Sequence, residues 1–153
     1  MLSDKFPPDF LARFTQSRGV SPGDVLYLHC DFTTPPKMKY MVVVCCEPLL
    51  VLLINSEISR FIMGKPDLLS CQVDLAKDDH DFLEWDSVVS CIEAHTAFNL
   101  EALQKRIATE YGKILKGRIT NERMRAVRIA VNDSPVMVRK HKKMILEALE
   151  HYQ

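Results

Sequence analysis

The sequence has no long uninterrupted apolar run. Its longest apolar stretch, from Met41 to Ile54, is broken by Glu47 and Pro48 and is shorter than the roughly 20 residues of a membrane-spanning helix. The N-terminal residues lack the positive region, apolar segment and small-residue cleavage site of a signal peptide. We therefore expect no membrane segment and a cytoplasmic location.

The motifs of several large enzyme classes are also missing. The sequence has no glycine-rich phosphate loop, no G-x-S-x-G nucleophile elbow and no H-E-x-x-H pair. Nucleotide hydrolysis, serine hydrolysis and metalloprotease chemistry therefore have no support. Internal repeats and low-complexity segments are absent as well.

Cysteines with the spacing of a metal site or a redox motif do not occur. The five cysteines form no C-x-x-C pair, and none lies near a histidine at zinc-finger spacing. They are Cys30, Cys45, Cys46, Cys71 and Cys91. All five fall in apolar segments predicted as strands, which favours reduced, buried thiols over a catalytic cysteine. We expect no disulfide, slow reaction with thiol reagents, and neither a metal nor another cofactor.

The composition that remains is typical of one globular domain. Of the 153 residues, 47% are hydrophobic and 26% are charged, a mixture that excludes wholesale disorder. The formal net charge of zero conceals an asymmetry. Residues 1–98 carry 8 Lys and Arg against 14 Asp and Glu, whereas residues 99–153 carry 12 against 6. The two parts either attract each other or leave a basic face for an anionic partner.

Alternating and β-branched segments predict five strands in the first two-thirds of the chain. The expected strands are Asp24 to Phe32, Met41 to Cys46, Leu49 to Ile54, Leu68 to Leu75 and Ser87 to Ile92. A short helix is expected from Ser3 to Arg18, an exposed basic loop from Thr33 to Lys39, and a turn of helix or folded loop in 55–67. We expect Val42, Val44, Leu52 and Val88 in the interior.

Beyond Phe98 the hydrophobic period changes from two to about 3.6. Asn99 is expected to cap a helix that ends near Gly117, and Thr120 to begin a second helix with Arg123, Arg125 and Arg128 facing outward. Ser134-Pro135 predicts the start of a third. The fold class is therefore α+β: a small, mostly antiparallel barrel over 21–97 and a helical tail over 98–153, in a single domain.

Five motifs follow one another along roughly residues 21–115. They are Gly23-Asp24-Val25, a loop with Lys37 and Lys39, the run Met41-Val42-Val43-Val44, the strand end Ile54-Asn55-Ser56, and the segment from Phe82 to Cys91. Their order resembles the PemK/MazF-like toxins of type II toxin–antitoxin systems. At the family's Arg-Pro position this chain has Lys39-Tyr40.

The resemblance implies an SH3-like barrel that forms a homodimer and acts as a metal-independent endoribonuclease on single-stranded RNA, inhibited by an antitoxin protein. It further implies that Lys39 stabilises negative charge and that Ser56 contacts a phosphate oxygen. Lys37, Lys39 and Asn55 are the implied RNA-binding residues. The alternative is that these lysines are ordinary loop charges and Ser56 a turn residue.

Two histidines are further candidates. His29 and Asp31 lie on one face of a predicted strand, where a carboxylate orients an imidazole and raises its basicity. His29 is therefore a candidate general base, or else a structural histidine. His95 is a candidate acid at the barrel rim, although nothing in the sequence directs it at a substrate.

Two charged segments are more typical of solvated surface. The run from Asp78 to Asp81 contains metal-binding residue types, but four consecutive loop residues rarely converge on one ion. The basic run from Arg139 to Lys143 is either a solvated helix face or a phosphate contact.

Two other functions stay open beside the ribonuclease. One is a catalytically inactive SH3-like module for protein interaction, and the other is a nucleic-acid-binding accessory protein that uses the basic C-terminal helices. The acidic first part of the chain attracts RNA poorly and so counts against the ribonuclease.

Overall fold

The fold is α+β, with one curled antiparallel sheet and helices on both of its faces. A computed structural model describes residues 19–96, 98–110 and 112–152. The predicted helix from Ser3 to Arg18 lies outside these residues.

Six strands form the sheet, and every pairing between them is antiparallel. The strands are β1 (Asp24–Cys30), β2 (Lys37–Cys45), β3 (Leu50–Asn55), β4 (Gln72–Leu75), β5 (Ser87–Ser90) and β6 (Leu115–Arg118). Their order across the sheet is β4-β5-β3-β2-β1-β6. The predicted strands Met41 to Cys46 and Leu49 to Ile54 correspond to β2 and β3. These two strands form a hairpin at the centre of the sheet, as predicted.

Five α-helices and a 3₁₀ turn complete the described chain. The helices are α1 (Arg60–Met63), α2 (Pro66–Leu69), α3 (Leu100–Glu110), α4 (Asn121–Asp133) and α5 (Arg139–Ala148), and the 3₁₀ turn is Lys77–Asp79. Asn99 caps α3 by accepting a hydrogen bond from the Ala102 amide at 2.9 Å. Thr120 caps α4 through the Arg123 amide. The predicted cap at Asn99 and the predicted helix start at Thr120 are confirmed.

The alternation of side chains divides the apolar residues between two cores. Val25, Val42 and Leu52 face α4 and α5, where they pack with Met124 and Ile145. The intervening residues face the other way. Leu26, Met41 and Val51 pack with Leu103 and Ile107 of α3.

Val88 lies on a different face from the other predicted interior residues. Val42, Val44 and Leu52 are fully buried in the first core, as predicted. Val88 is also buried, but it pairs with Asn55, whereas Val89 pairs with Ile54 and belongs to that core.

Several predicted boundaries are wrong. Lys37–Lys39 is not a loop, because it pairs with β1 and begins β2. The strand predicted from Leu68 starts at Gln72, since Pro66 begins a short helix. The helix predicted to reach Gly117 ends earlier. Leu115–Arg118 forms β6 on the free edge of β1, where its backbone hydrogen bonds outweigh helical propensity.

Two further predictions need correction. The third C-terminal helix begins at Arg139 rather than Pro135, because the Ser134 hydroxyl caps a turn by accepting from the Met137 amide. The five cysteines are all free, but Cys46, Cys71 and Cys91 lie outside the strands and Cys46 is only half-buried. Within the described residues, no helix combines the length and apolar character needed to cross a membrane.

Candidate functional site

The protruding end of β2 positions the lysines that the sequence singles out. Strand β3 ends at Asn55, while β2 extends past it and pairs with β1 through Lys39 and Lys37. Among the described residues, the first residues of β2 therefore have a strand neighbour on one side only.

A cavity of about 230 Å³ lies at this end of the sheet, and we call it the sheet-end cavity. It brings together three of the predicted site residues, Lys37, Lys39 and Ser56. Its other lining residues are Tyr27, Met38, Tyr40, Ile54, Leu83, Glu84, Trp85 and Ser87.

Aromatic rings form one wall of the sheet-end cavity. Tyr27 and Tyr40 are paired across β1 and β2, and their ring centroids lie 4.6 Å apart. The Phe82 ring lies 6.3 Å from Tyr40, and the Lys116 ammonium lies 5.9 Å from the centroid of Tyr27. Trp85 is 65% exposed at the rim. Exposed rings beside ammonium groups are typical of surfaces that bind single-stranded nucleic acid.

The Lys39 ammonium is held by Asn55. Its Nζ donates to the Asn55 Oδ1, so the lysine side chain leaves β2 on the face opposite Tyr40. Burial lowers the pKa of Lys39, and the neighbouring Lys37 lowers it further, while Cys30 acts in the opposite direction. The Lys39 ammonium therefore loses its proton more easily than one in water.

His29 takes no part in lining the sheet-end cavity. It lies on the same sheet face as Tyr27, and its Nδ1 is 3.1 Å from the Asp31 Oδ1. The expected pair of imidazole and carboxylate is thus present. Both side chains are largely exposed, which leaves the imidazole open to solvent.

A second and larger cavity, of about 590 Å³, lies on the other face of β3 and β5, and we call it the sheet-face cavity. Helix α1 and the segments around Ile92 and Val136 contribute to its walls. Its lining residues are Leu53, Asn55, Ser59, Phe61, Ile62, Lys65, Asp67, Leu68, Ser90, Ile92, Glu93, His95 and Val136.

His95 is built into this second cavity. Its ring stacks on Phe32 with the centroids 4.4 Å apart, and its backbone pairs with Val51. Burial lowers the pKa of His95, while the nearby Glu93 raises it by a smaller amount. The neutral imidazole is therefore favoured, with one nitrogen able to donate and the other to accept.

The acidic run from Asp78 to Asp81 is organised around a buried histidine. The His80 Nδ1 lies 2.9 Å from the carbonyl of Ala76, and its Nε2 accepts from the Thr120 amide at 3.3 Å. The three aspartates of the run are exposed. Among the described residues, no group of three or more His, Cys, Asp or Glu side chains is placed to hold a metal ion.

The aromatic wall and the sheet-face cavity were not predicted. Strand alternation gave a usable signal for Tyr27, because it shares a predicted face with His29. The single tryptophan, in a charged loop, was a second signal. The sheet-face cavity had no such signal, since it depends on how residues 56–71 fold back over the sheet.

The hydrogen bond between Lys39 and Asn55 joins the two cavities, because Lys39 lines the first and Asn55 the second. A lysine, a hydroxyl and exposed rings thus adjoin a larger cavity with an amide and an imidazole. No protein-family model matches this chain, and neither does any curated protein.

Proposed function

We propose that this protein is a metal-independent endoribonuclease that acts on single-stranded RNA at the sheet-end cavity, in an SH3-like barrel of the PemK/MazF type. The observation that carries the proposal is that Lys37, Lys39 and Ser56 line one cavity beside the rings of Tyr27 and Tyr40. Basic and aromatic side chains in one groove suit a strand with unpaired bases, because the rings stack on bases and the ammonium groups attract phosphates.

The proposed reaction uses the 2′-hydroxyl of the substrate. The 2′-oxygen attacks the adjacent phosphorus after losing its proton, and the bond to the 5′-oxygen breaks as that oxygen gains a proton. The products are a 2′,3′-cyclic phosphate and a 5′-hydroxyl. Lys39 stabilises the charge on the phosphorane oxygens, and the Ser56 hydroxyl donates to one of them. His29 is the candidate for moving a proton, with Asp31 orienting it.

The test compares Lys39→Ala with Lys105→Ala on single-stranded RNA in the presence of EDTA. Lys39→Ala should lower the cleavage rate at least about tenfold, equivalent to roughly 1.4 kcal/mol of transition-state stabilisation. Lys105 is a matched control, since it is an exposed lysine of α3 that pairs with Glu101. Its loss should leave the rate unchanged.

Two results would contradict the proposed function or its reaction. Wild-type protein that cuts no RNA, with or without metal, would overturn the proposal. Cleavage that leaves no cyclic phosphate would contradict the reaction. A toxic effect on induced expression that Lys39→Ala abolishes would support it in the cell.

The resemblance supplies the remaining parts of this proposal: a cytoplasmic homodimer whose activity is inhibited by a bound antitoxin protein. Size measurements in solution and co-expression with neighbouring genes test them separately.

A second candidate function is supported by a basic groove between α4 and α5. Four cations outnumber two acids in a depression of about 400 Å³, which is lined by Arg128, Arg139, Lys142, Lys143, Leu146, Glu147 and Glu150. The buried Nε of Arg128 has no hydrogen-bond partner within the described chain. The four cations of this depression suit an accessory protein that binds nucleic acid without cutting it.

A further inference from the structure

The sheet-face cavity combines apolar walls with polar groups from several elements. Leu53, Ile62, Leu68 and Ile92 supply apolar surface, and the ring of Phe61 is 67% exposed at the opening. A volume of about 590 Å³ is within the range of small-molecule sites. A flat ring is a suitable occupant for such a space.

The orientation of the Asn55 amide determines what this cavity offers. An ammonium group can only donate hydrogen bonds, so the Lys39 amine requires the amide oxygen of Asn55 to face it. The Nδ2 group then points away from Lys39 with two N–H donors. Within the described residues, no protein acceptor bonds to that nitrogen.

Ser90 and His95 add further hydrogen-bonding capacity. The Ser90 hydroxyl accepts a bond from the Gln72 amide at 3.2 Å, so its own proton stays available for donation. Neither ring nitrogen of His95 bonds to another part of the described chain. With Asn55, the cavity therefore contains three side chains able to donate to a carbonyl-bearing ring.

The charged lining residues do not favour an anionic ligand. Lys65 lies over the Phe61 ring, with its Nζ 4.9 Å from the centroid, and extends the stacking surface. Asp67 and Glu93 contribute negative charge to the same lining. A free phosphate or a carboxylate would meet these acids, whereas an uncharged aromatic ring would not be repelled.

We propose that the sheet-face cavity binds one unpaired nucleobase of an RNA strand and prefers a base with a ring carbonyl. The inference rests on the proposed function and names the specificity-determining site beside the reacting phosphate. Asn55 both holds Lys39 and donates to the base, so base recognition and charge placement share one side chain. Adenine has no carbonyl oxygen and should therefore be the weakest ligand.

The test uses uridine and adenosine, which carry no phosphate, with the full-length protein in two-dimensional NMR. Uridine should shift the signals of the Asn55 side-chain amide and the His95 ring, and adenosine should shift them less at the same concentration. A short oligouridylate should shift these signals and also the Trp85 indole, which separates a base within RNA from a free nucleoside.

Two exposed residues of α1 provide a matched pair of variants. Phe61 lines the cavity and Met63 does not, although both are more than half exposed. Phe61→Ala should weaken uridine binding at least about fivefold, and Met63→Ala should not change it. Asn55→Asp keeps an oxygen for Lys39 but removes the donor, so the preference for uridine over adenosine should be lost.

Different experimental results would contradict the base site and the proposed ribonuclease. RNA cleavage without any nucleoside-induced shift at Asn55 or His95 would overturn the base site and leave the ribonuclease intact. Equal binding of uridine and adenosine would also overturn it. Uridine binding in a protein that cuts no RNA would instead support the base site and contradict the nuclease.

Discussion

At the scale of single residues, Asp24 of the Gly23-Asp24-Val25 motif has a structural role. Its carboxylate is fully buried, pairs with Arg118 and accepts a hydrogen bond from the Ser21 amide at 2.9 Å. Arg118 in turn donates to the Pro22 carbonyl and lies 3.4 Å from the Tyr152 hydroxyl. The cluster therefore ties the start of β1 to β6 and to the end of the described chain.

Replacement of Arg118 by alanine should destabilise the protein by about 3 kcal/mol. That is the lower end of the cost of breaking a buried pair, because Arg118 is itself 41% exposed whereas Asp24 is not. Chemical denaturation measures the effect. The matched control is Arg106→Ala, since the exposed pair between Arg106 and Glu110 should contribute about 0.5 kcal/mol or less. Equal losses in both variants would contradict the structural role of Arg118.

His95 should make stability depend on pH. Burial lowers its pKa in the folded protein below the ordinary value of 6.5, so the fold favours the neutral ring. The contribution of the neutral His95 ring to the free energy of unfolding is fully present above about pH 6.5. It is lost as the pH falls through the lowered pKa. Lys65, Asp67 and Glu93 line the same cavity, and Glu93 opposes the shift.

The measurement compares wild-type protein with His95→Phe by urea unfolding between pH 7.5 and 4.5. Phenylalanine keeps the stack on Phe32 but does not titrate. The difference in unfolding free energy should change in favour of the variant as the pH falls. A difference that stays constant over this range would show that His95 has the same pKa in both states.

Sequence reasoning succeeded for residues whose role is local. Asn99 was predicted as a cap and Thr120 as the start of a helix, because a helix N-terminus depends on the next three residues. The pairing of Lys39 with Asn55 was not predicted, since it depends on the register between β2 and β3. The cavity at His95 depends on several segments that are distant in sequence.

At the scale of secondary-structure elements, the error at β6 has a tertiary cause. Residues 115–118 lie on the apolar periodicity of α3, yet they form β6 because β1 offers an unpaired edge. Gly117 then lies against the Phe82 ring so closely that a Cβ atom would be 2.7 Å from its Cδ1. A tertiary contact of this kind overrides local propensity and has no signature in a single sequence.

The N-terminus of α4 gives a prediction at this scale. Thr120→Ala removes the hydroxyl that accepts from the Arg123 amide and should cost about 1 kcal/mol of stability. Thr109→Ala is the control, because Thr109 is exposed inside α3 and alanine is the better helix former. The two variants should therefore change the midpoint of thermal unfolding in opposite directions. A loss of similar size in both would indicate that the Thr120 cap is not a special contact.

At the scale of the whole molecule, the charge asymmetry separates two candidate surfaces for RNA. The sheet-end cavity offers few cations, namely Lys37, Lys39 and the nearby Lys116. Helices α4 and α5 carry more: Arg123, Arg125, Arg128, Arg139, Lys140, Lys142 and Lys143. They pack on the opposite side of the first core from β1 and β2. An RNA strand bound at one of these surfaces need not contact the other surface.

The salt dependence of RNA binding distinguishes these surfaces. Each neutralised phosphate contributes about −0.7 to the slope of log K against log salt for a single strand, so three lysines predict a slope of roughly −2. Seven cations on α4 and α5 would give about −5. Fluorescence anisotropy with a labelled oligouridylate between 50 and 300 mM salt measures the slope.

The variant Arg139→Ala/Lys140→Ala/Lys143→Ala completes this test, because all three side chains are exposed on α5. Binding at the sheet-end cavity predicts that the triple variant keeps the wild-type slope, whereas Lys37→Ala reduces its magnitude by about 0.7. A wild-type slope near −5 that falls by about 2 in the triple variant would instead assign RNA binding to the basic helices. The accessory-protein function would then replace the ribonuclease.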